Sequence, residues 1–190
     1  MTLNGVRQRA HRHRKRISLE NMEHGMTLTL RDSAHVVSDP ENLTSSVHEV
    51  FEMMLGVACD VGLPGDSPDV IGGAESVTAV VGFGGILSGA CVITCDEASA
   101  RQIAFRMTGM EFEVLDDVVK DAIGEICNMV AGAWKGKVPD LAANCGLSVP
   151  AVITGRDYNL HMQSPEFKVI HTYSFDKAKF QVAVVCDELL

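Results

Sequence analysis

Three stretches of the chain carry apolar residues at helical spacing. Residues 39–55 open with an Asp-Pro pair, a typical helix start, and then repeat apolar positions every three or four residues. A second helix is predicted between Asp96 and Gly109, and a third over residues 114–137. The buried faces of the first and third helices are expected to contain Leu43, Val47, Val50, Phe51 and Met54, and Val114, Leu115, Val118, Val119, Ala122, Ile123, Ile126, Met129 and Val130, respectively.

The remaining apolar runs have the composition and alternation of strands. Predicted strands cover residues 57–63, 76–81, 87–94, 146–154, 167–175 and 179–187. A glycine-rich turn joins the second and third of these, which are predicted to form an antiparallel hairpin. Residues 139–144 are interpreted as a connection. The pattern predicts an α/β (α+β) domain with a six-stranded, mostly antiparallel sheet and about three helices.

An internal repeat relates the first helix to the third. Residues 49–56 (EVFEMMLG) align with residues 125–132 (EICNMVAG) at a constant offset of 76. Each copy is followed by three predicted strands. We therefore predict a duplicated helix-plus-three-strand unit with a pseudo-twofold axis. The copies differ at one polar position, which is Glu52 in the first and Asn128 in the second.

Charge is unevenly distributed along the chain. Six of the 16 Lys and Arg residues lie within residues 1–19, so the rest of the chain has 10 basic and 25 acidic residues, a net charge of −15. Such an acidic body would repel nucleic-acid phosphates. We predict a basic, disordered extension over residues 1–38 and a folded domain over 39–190. The alternatives for the basic run are a nucleic-acid or membrane-surface arm and a translation start at Met22 or Met26.

Composition narrows the class of protein further. A chain of 190 residues with 46% hydrophobic content can bury one sizeable core. It has neither an apolar run near 18 residues nor a secretory signal, so no membrane span is expected. The six cysteines lack C-x-x-C spacing, and their apolar neighbours indicate reduced, buried thiols in a cytoplasmic protein. The histidines lack metal-ligand spacing, so no protein-bound metal is predicted.

The third predicted helix has an unusual polar face. Asp121, Glu125 and Asn128 follow one another at steps of four and three residues, which places them on one side of the helix. No Lys or Arg occurs between Asp121 and Lys135 to balance the acids. A Glu with an Asn three residues later is commonly a solvated surface. A line of acids without counter-charges also suits a site that binds something outside the protein.

These residues carry a family resemblance. The pattern Asp121-x-x-x-Glu125-x-x-Asn128, with Gly132 and Pro150 downstream, resembles the signature of the CheC, CheX and FliY phosphatases of bacterial chemotaxis. The resemblance covers most of the predicted domain. Because the first copy has a Glu where the second has its Asn, the chain resembles the CheX type, in which only the later helix is active.

The resemblance implies a substrate and a division of roles. The substrate would be a phosphorylated CheY-like response regulator, which carries an aspartyl phosphate and its own Mg²⁺, while this chain binds no cofactor. Glu125 and Asn128 would be catalytic, with Glu125 pairing with the regulator's active-site lysine. Asp121 and Gly132 would support docking of the partner. The resemblance also implies a homodimer.

An amide suits this chemistry better than a carboxylate. Hydrolysis of a phosphoryl group depends on in-line positioning of water and on charge stabilisation. Asn128 offers a neutral acceptor and two donors, so it can hold a water near a dianionic group. The carboxylate of Glu52 would repel that group, which is expected to disable the first copy. The competing hypothesis is a non-catalytic module that binds a receiver domain or a flagellar switch component through the same helix.

Overall fold

The computed structural model describes residues 37–62, 76–156, 158 and 166–189. Its helices are α1 (Pro40–Leu55), α2 (Glu97–Thr108), α3 (Asp117–Gly136) and α4 (Pro139–Asn144). Its strands are β1 (Asp60–Val61), β2 (Ser76–Gly85), β3 (Leu87–Asp96), β4 (Cys145–Leu147), β5 (Ala151–Gly155), β6 (Phe167–Phe175) and β7 (Ala178–Leu189). The predicted α+β class and the 76–94 hairpin are confirmed.

A single antiparallel sheet contains all the described strands. Its order is β1-β6-β7-β3-β2, and β4 and β5 follow one another along the outer edge of β2. The sheet has seven strands where six were predicted, because the predicted strand 146–154 is interrupted at Ser148–Pro150. Proline has no N–H to contribute to a ladder. The predicted connection at residues 139–144 is wrong, since it forms the short helix α4, with Pro139 in the first turn.

The predicted duplication is confirmed by the topology. The sheet order reads the same from both ends when β1, β2 and β3 are exchanged with β4/β5, β6 and β7. The pseudo-twofold axis therefore passes between the central strands β3 and β7. Each half places its first strand on the sheet of the other half, because β1 pairs with β6, and β4 and β5 pair with β2.

Helices α1, α2 and α3 pack on one face of this sheet. The repeat-related pairs Val47 and Ile123, and Val50 and Ile126, are all buried in the resulting core. The ring of Phe51 on α1 stacks on Phe180 of β7, with ring centroids 4.5 Å apart. Equivalent apolar positions of the two copies therefore bury equivalent helix faces.

Two helix ends differ from the hydrophobic pattern. Helix α3 begins at Asp117 and not at residue 114, because the side chain of Asp116 accepts a hydrogen bond from the backbone N–H of Val119 at 3.0 Å and caps it. Val114 therefore lies before the helix and is exposed, and Val118 in its first turn is 44% exposed. Met54, expected on the buried face of α1, is also partly exposed.

The six cysteines are buried and free, as predicted. Within the described residues, no helix has the length and apolar character needed to cross a membrane. The compact unit that contains the sheet covers residues 37–190, and Val37 is buried in its core. The basic extension proposed for residues 1–38 lies almost wholly outside the described residues, so its disorder stays a prediction.

Candidate active site on helix α3

The polar residues predicted from the sequence share one side of helix α3. Asp121 and Glu125 are exposed, while Asn128 and Gly132 are half-buried farther along the same line. The opposite side of the helix holds the buried residues Ile123, Ile126 and Val130 against the sheet. The structure therefore brings the four residues together on a surface that faces away from the core.

Nothing in the described part of the chain pairs with the side chains of Asp121, Glu125 or Asn128. The lysines of the same helix are engaged elsewhere. Lys120 bonds to Asp117 at 3.0 Å, and the Nζ of Lys135 donates to the carbonyl oxygen of Cys145 at 2.8 Å. The two carboxylates and the amide are therefore free to interact with another molecule.

The equivalent face of helix α1 differs in its ion pairing. Glu49, the counterpart of Glu125, accepts a hydrogen bond from the Nζ of Lys137 at 3.1 Å. Glu52 occupies the position of Asn128 and is exposed. The first copy thus has one carboxylate already paired and a second in place of the amide, so the unpaired acid–amide arrangement is a property of α3.

The inner side of α3 is fixed to the sheet directly behind the site. The Cys127 thiol donates weakly to the carbonyl oxygens of Cys91 and Ala79, at 3.5 and 3.6 Å. The side-chain hydrogen bond that the Cys91 thiol shares with Cys127, together with burial, raises the pKa of Cys91 well above its usual range. The Cys91 thiol therefore stays protonated, and both cysteines act as core groups that hold the backbone preceding Asn128.

One wall of the site is the turn Ser148–Pro150, between β4 and β5. The Ser148 hydroxyl accepts a hydrogen bond from the Gly82 N–H and donates to the Val149 carbonyl oxygen, both at 2.9 Å. The Ser148 N–H in turn donates to the Gly82 carbonyl oxygen at 2.9 Å. Both the hydroxyl and the backbone N–H of Ser148 therefore hold the turn against strand β2.

The same turn packs directly on α3 at Gly124. A Cβ atom at Gly124 would lie 3.3 Å from Pro150 Cβ and 3.3 Å from Val152 Cγ2, which is tighter than ordinary packing. Glycine therefore allows the turn to approach the flank of the helix that carries Asp121 and Asn128. Pro150, noted in the sequence only as part of a signature, has a physical role in this contact.

Gly132 has a looser environment than Gly124. A Cβ atom there would meet only Leu147 Cδ1, at 4.0 Å. The chain itself would therefore accept a side chain at position 132. The role predicted for Gly132, close approach of a partner, concerns the outer surface and stays a prediction.

Sequence reasoning missed Val149. Its side chain is 86% exposed, the largest fraction among the exposed large apolar side chains that the structure describes. The only signal in the sequence was its position next to Pro150.

As for metals, the described residues contain no group of three or more His, Cys, Asp or Glu side chains arranged to bind one.

A twofold-related sheet whose second long helix presents an unpaired acid–amide face corresponds to a known class of protein. The family described as "Chemotaxis phosphatase CheX" matches residues 77–173. That range contains the acid–amide face of α3 and the Ser148–Pro150 turn. The CheY-P phosphatase CheX of Thermotoga maritima is 30% identical over 119 residues, which cover 62% of this chain and 76% of that protein. The chain therefore belongs to the CheX family of chemotaxis phosphatases.

Solved structures share the fold. The chemotaxis protein CheX of Vibrio vulnificus matches with a TM-score of 0.64 and 22% identity, covering 77% of this chain and 94% of that one. A complex of CheX with CheY, BeF₃ and Mg²⁺ from Borrelia burgdorferi also matches with a TM-score of 0.64 and 22% identity. That match covers 80% of this chain and 99% of the other.

Proposed function

We propose that this protein hydrolyses the aspartyl phosphate of a CheY-like response regulator, and that Glu125 and Asn128 are its catalytic residues. The observation that carries this assignment is the position of the two side chains one helical turn apart on an exposed face, without partners in the described part of the chain. The T. maritima relative, named a CheY-P phosphatase, supports the choice of substrate.

Asn128 positions the attacking water. Its amide oxygen accepts a hydrogen bond from the water while its amide group donates towards the phosphoryl oxygens. The residue is neutral, so it can approach a dianionic group without repulsion. Transfer of the phosphoryl group to water requires in-line geometry and little covalent assistance. An amide held on a rigid helix supplies this positioning of the water, which bulk solvent does not.

Glu125, which lies one helical turn before Asn128, orients the partner. As an exposed carboxylate without an internal counter-charge, it offers a bidentate acceptor to a cation, and the family resemblance assigns that cation to the active-site lysine of the regulator. Asp121 continues the acidic line by a further turn and supports docking. Gly132 has no side chain, so the partner can approach the helix closely at the other end of this polar face.

Mg²⁺ belongs to the regulator in this proposal. The Borrelia complex contains CheY, BeF₃ and Mg²⁺ together with CheX. The metal would neutralise phosphoryl charge on the regulator, while this chain binds the regulator, positions the water and orients the lysine. Six buried free thiols suit a reducing compartment, so we place the reaction in the cytoplasm. The homodimer implied by the resemblance stays a prediction, which light scattering of the purified protein tests.

The direct test follows the decay of a phosphorylated CheY-like regulator. We expect wild-type protein to accelerate the decay, and Asn128→Ala to lower the catalysed rate by about 100-fold or more, as for removal of a positioned catalytic group. Glu52→Ala changes the counterpart residue on α1 and serves as the matched control, with an unchanged rate. Decay that wild-type protein does not accelerate would leave only the non-catalytic binding module. Full activity of Asn128→Ala would place the water elsewhere.

A further inference from the structure

Two exposed apolar side chains border the catalytic pair. Val149 is on the Ser148–Pro150 turn beside the helix, and Val118 is in the first turn of α3. Val118 lies three residues before Asp121 and seven before Glu125, so it begins the same line on the helix surface. Exposed apolar side chains beside unpaired polar groups offer apolar surface that a bound protein could cover.

Val149 is held in its exposed position. The hydrogen bonds of Ser148 to Gly82 and the packing of Pro150 on Gly124 fix the residues on either side of it. The strands that flank the turn are both paired with β2. An apolar side chain on such a rigid turn loses little entropy on binding, so it is suited to contact a partner.

Both side chains lie within reach of a standard protein interface centred near Asn128. Standard protein interfaces bury about 800 Å² per partner, which corresponds to a disc of about 16 Å radius. Val118 is ten residues from Asn128, about 15 Å along the helix. Pro150, adjacent to Val149, packs at Gly124, one turn from Asn128. A protein whose interface is centred near Asn128 therefore reaches Val118 and Val149.

Charge gives a reason for apolar contacts at this place. The carboxylates of Asp121 and Glu125 and the net charge of −15 outside residues 1–19 oppose the approach of a phosphoryl dianion. Burying apolar surface is independent of that charge and offsets the repulsion. The exposed valines supply such surface without adding charge near the reacting atoms.

Resting on the proposed function, we propose that Val149 and Val118 form a docking surface for the receiver domain of the phosphorylated regulator, binding an apolar patch beside its phosphorylated aspartate. They touch the partner outside the reacting atoms. They therefore determine the affinity for the regulator, and so KM, while the rate of the bound complex is set by Glu125 and Asn128.

Steady-state kinetics of Val149→Ser separates these roles. We expect KM for the phosphorylated regulator to rise about tenfold, the equivalent of losing one buried valine contact, with kcat within twofold of wild type. Val118→Ser should raise KM less, since that side chain is already half covered. An unchanged KM for Val149→Ser, or a loss confined to kcat, would overturn the proposal.

Ile153 on β5 provides the matched control. It is 40% exposed and pairs with Thr78, whereas its neighbour Val152 packs on α3, so Ile153 points to the opposite face of the sheet. Ile153→Ser should leave KM unchanged, and a KM rise equal to that of Val149→Ser would show a general loss of packing and contradict the assignment.

A binding measurement keeps this test separate from the test of catalysis. Titration of a BeF₃- and Mg²⁺-loaded regulator onto Asn128→Ala, with and without Val149→Ser, measures the Kd of docking without hydrolysis. A Kd increase of about tenfold supports the docking surface even if hydrolysis is carried by another residue. Equal Kd values would overturn it even if Asn128 proves catalytic.

Discussion

At the scale of single residues, we propose that the charge at position 128 decides which copy of the repeat can act. Asn128, which is half-buried, and Glu52, which is exposed, occupy equivalent places on α3 and α1 and differ in carrying an amide or a carboxylate. Among the described residues, the two helix faces also differ in the Lys137–Glu49 ion pair, which engages the first copy.

Asn128→Asp tests this charge argument. Asp has nearly the volume of Asn, but its carboxylate only accepts hydrogen bonds and repels the phosphoryl group. We expect the catalysed rate to fall about as far as with Asn128→Ala, by about 100-fold, measured as decay of the phosphorylated regulator at pH 7.5. Glu52→Gln, the opposite change in the first copy, should leave the rate unchanged. A rate near wild type for Asn128→Asp would show that shape matters and charge does not.

The sequence predicted the polar residues of the candidate site but not the apolar side chains beside it. Helical spacing and the absence of counter-charges put Asp121, Glu125 and Asn128 on one face, and the family resemblance marks them as a site. Periodicity predicts Val118 on the buried face, whereas the structure exposes it. Periodicity gives the direction of a side chain, but it does not show whether another element covers that end of the helix. Val149 has no periodic signal, since its exposure depends on a turn that long-range pairing creates.

At the scale of elements, the contact between α3 and the Ser148–Pro150 turn joins the helix of the proposed catalytic residues to the proposed docking surface. The helix was predicted nearly in full, with an error of three residues at its start, where the Asp116 cap overrides the apolar pattern. The sequence did not predict the division of residues 145–155 into two strands. The strand-like pattern continues through Pro150, and the missing N–H of a proline interrupts a strand only where a neighbouring strand would accept its hydrogen bond.

Gly124→Ala tests this contact between elements. Alanine favours a helix interior over glycine by about 1 kcal/mol, but its Cβ would press on Pro150 and Val152 at 3.3 Å. The gain in helix propensity and the strain of shifting the turn by a few tenths of an ångström offset each other, so we expect the free energy of unfolding to change by less than about 1 kcal/mol.

The displaced turn should nevertheless raise KM for the regulator several-fold. Urea unfolding and steady-state kinetics measure the two effects. For the unfolding measurement, Gly132→Ala is the matched control within the same helix: its Cβ meets only Leu147 at ordinary distance, so it should stabilise the fold by about 0.5–1 kcal/mol. A wild-type KM for Gly124→Ala would show that the position of the turn is unimportant.

At the scale of the whole molecule, the duplication was predictable and the strand order was not. An eight-residue match between residues 49–56 and 125–132 indicated two related units. Which strands become neighbours depends on pairings between residues far apart in the chain, such as Asp60 with Ser174, and no local pattern encodes them.

Alkaline pH should destabilise the whole fold through buried groups. Burial raises the pKa of Tyr173 from 10 to about 12, and burial together with the charge of Asp60 raises that of Cys59 to about 12. The folded protein therefore keeps protons that the unfolded chain releases. Their contribution to stability is complete below about pH 9 and falls as pH rises towards 12.

Urea unfolding of wild type and Tyr173→Phe at pH 8 and pH 11, under reducing conditions, measures the share of Tyr173. At pH 11 its protonation difference corresponds to about 1 kcal/mol. The loss of unfolding free energy between the two pH values should therefore be smaller by about that amount in Tyr173→Phe. An equal loss in both proteins would assign the alkaline sensitivity to other groups.

The exchange of first strands between the two halves has a consequence for the origin of the chain. Since β1 completes the sheet of the second half, and β4 and β5 complete that of the first, a single ancestral unit would have had an open sheet edge. A second copy of the same unit could cover that edge by exchanging strands. We infer that the present chain corresponds to two such intertwined copies joined in one polypeptide, in which only one of the two helix faces needs to keep its amide.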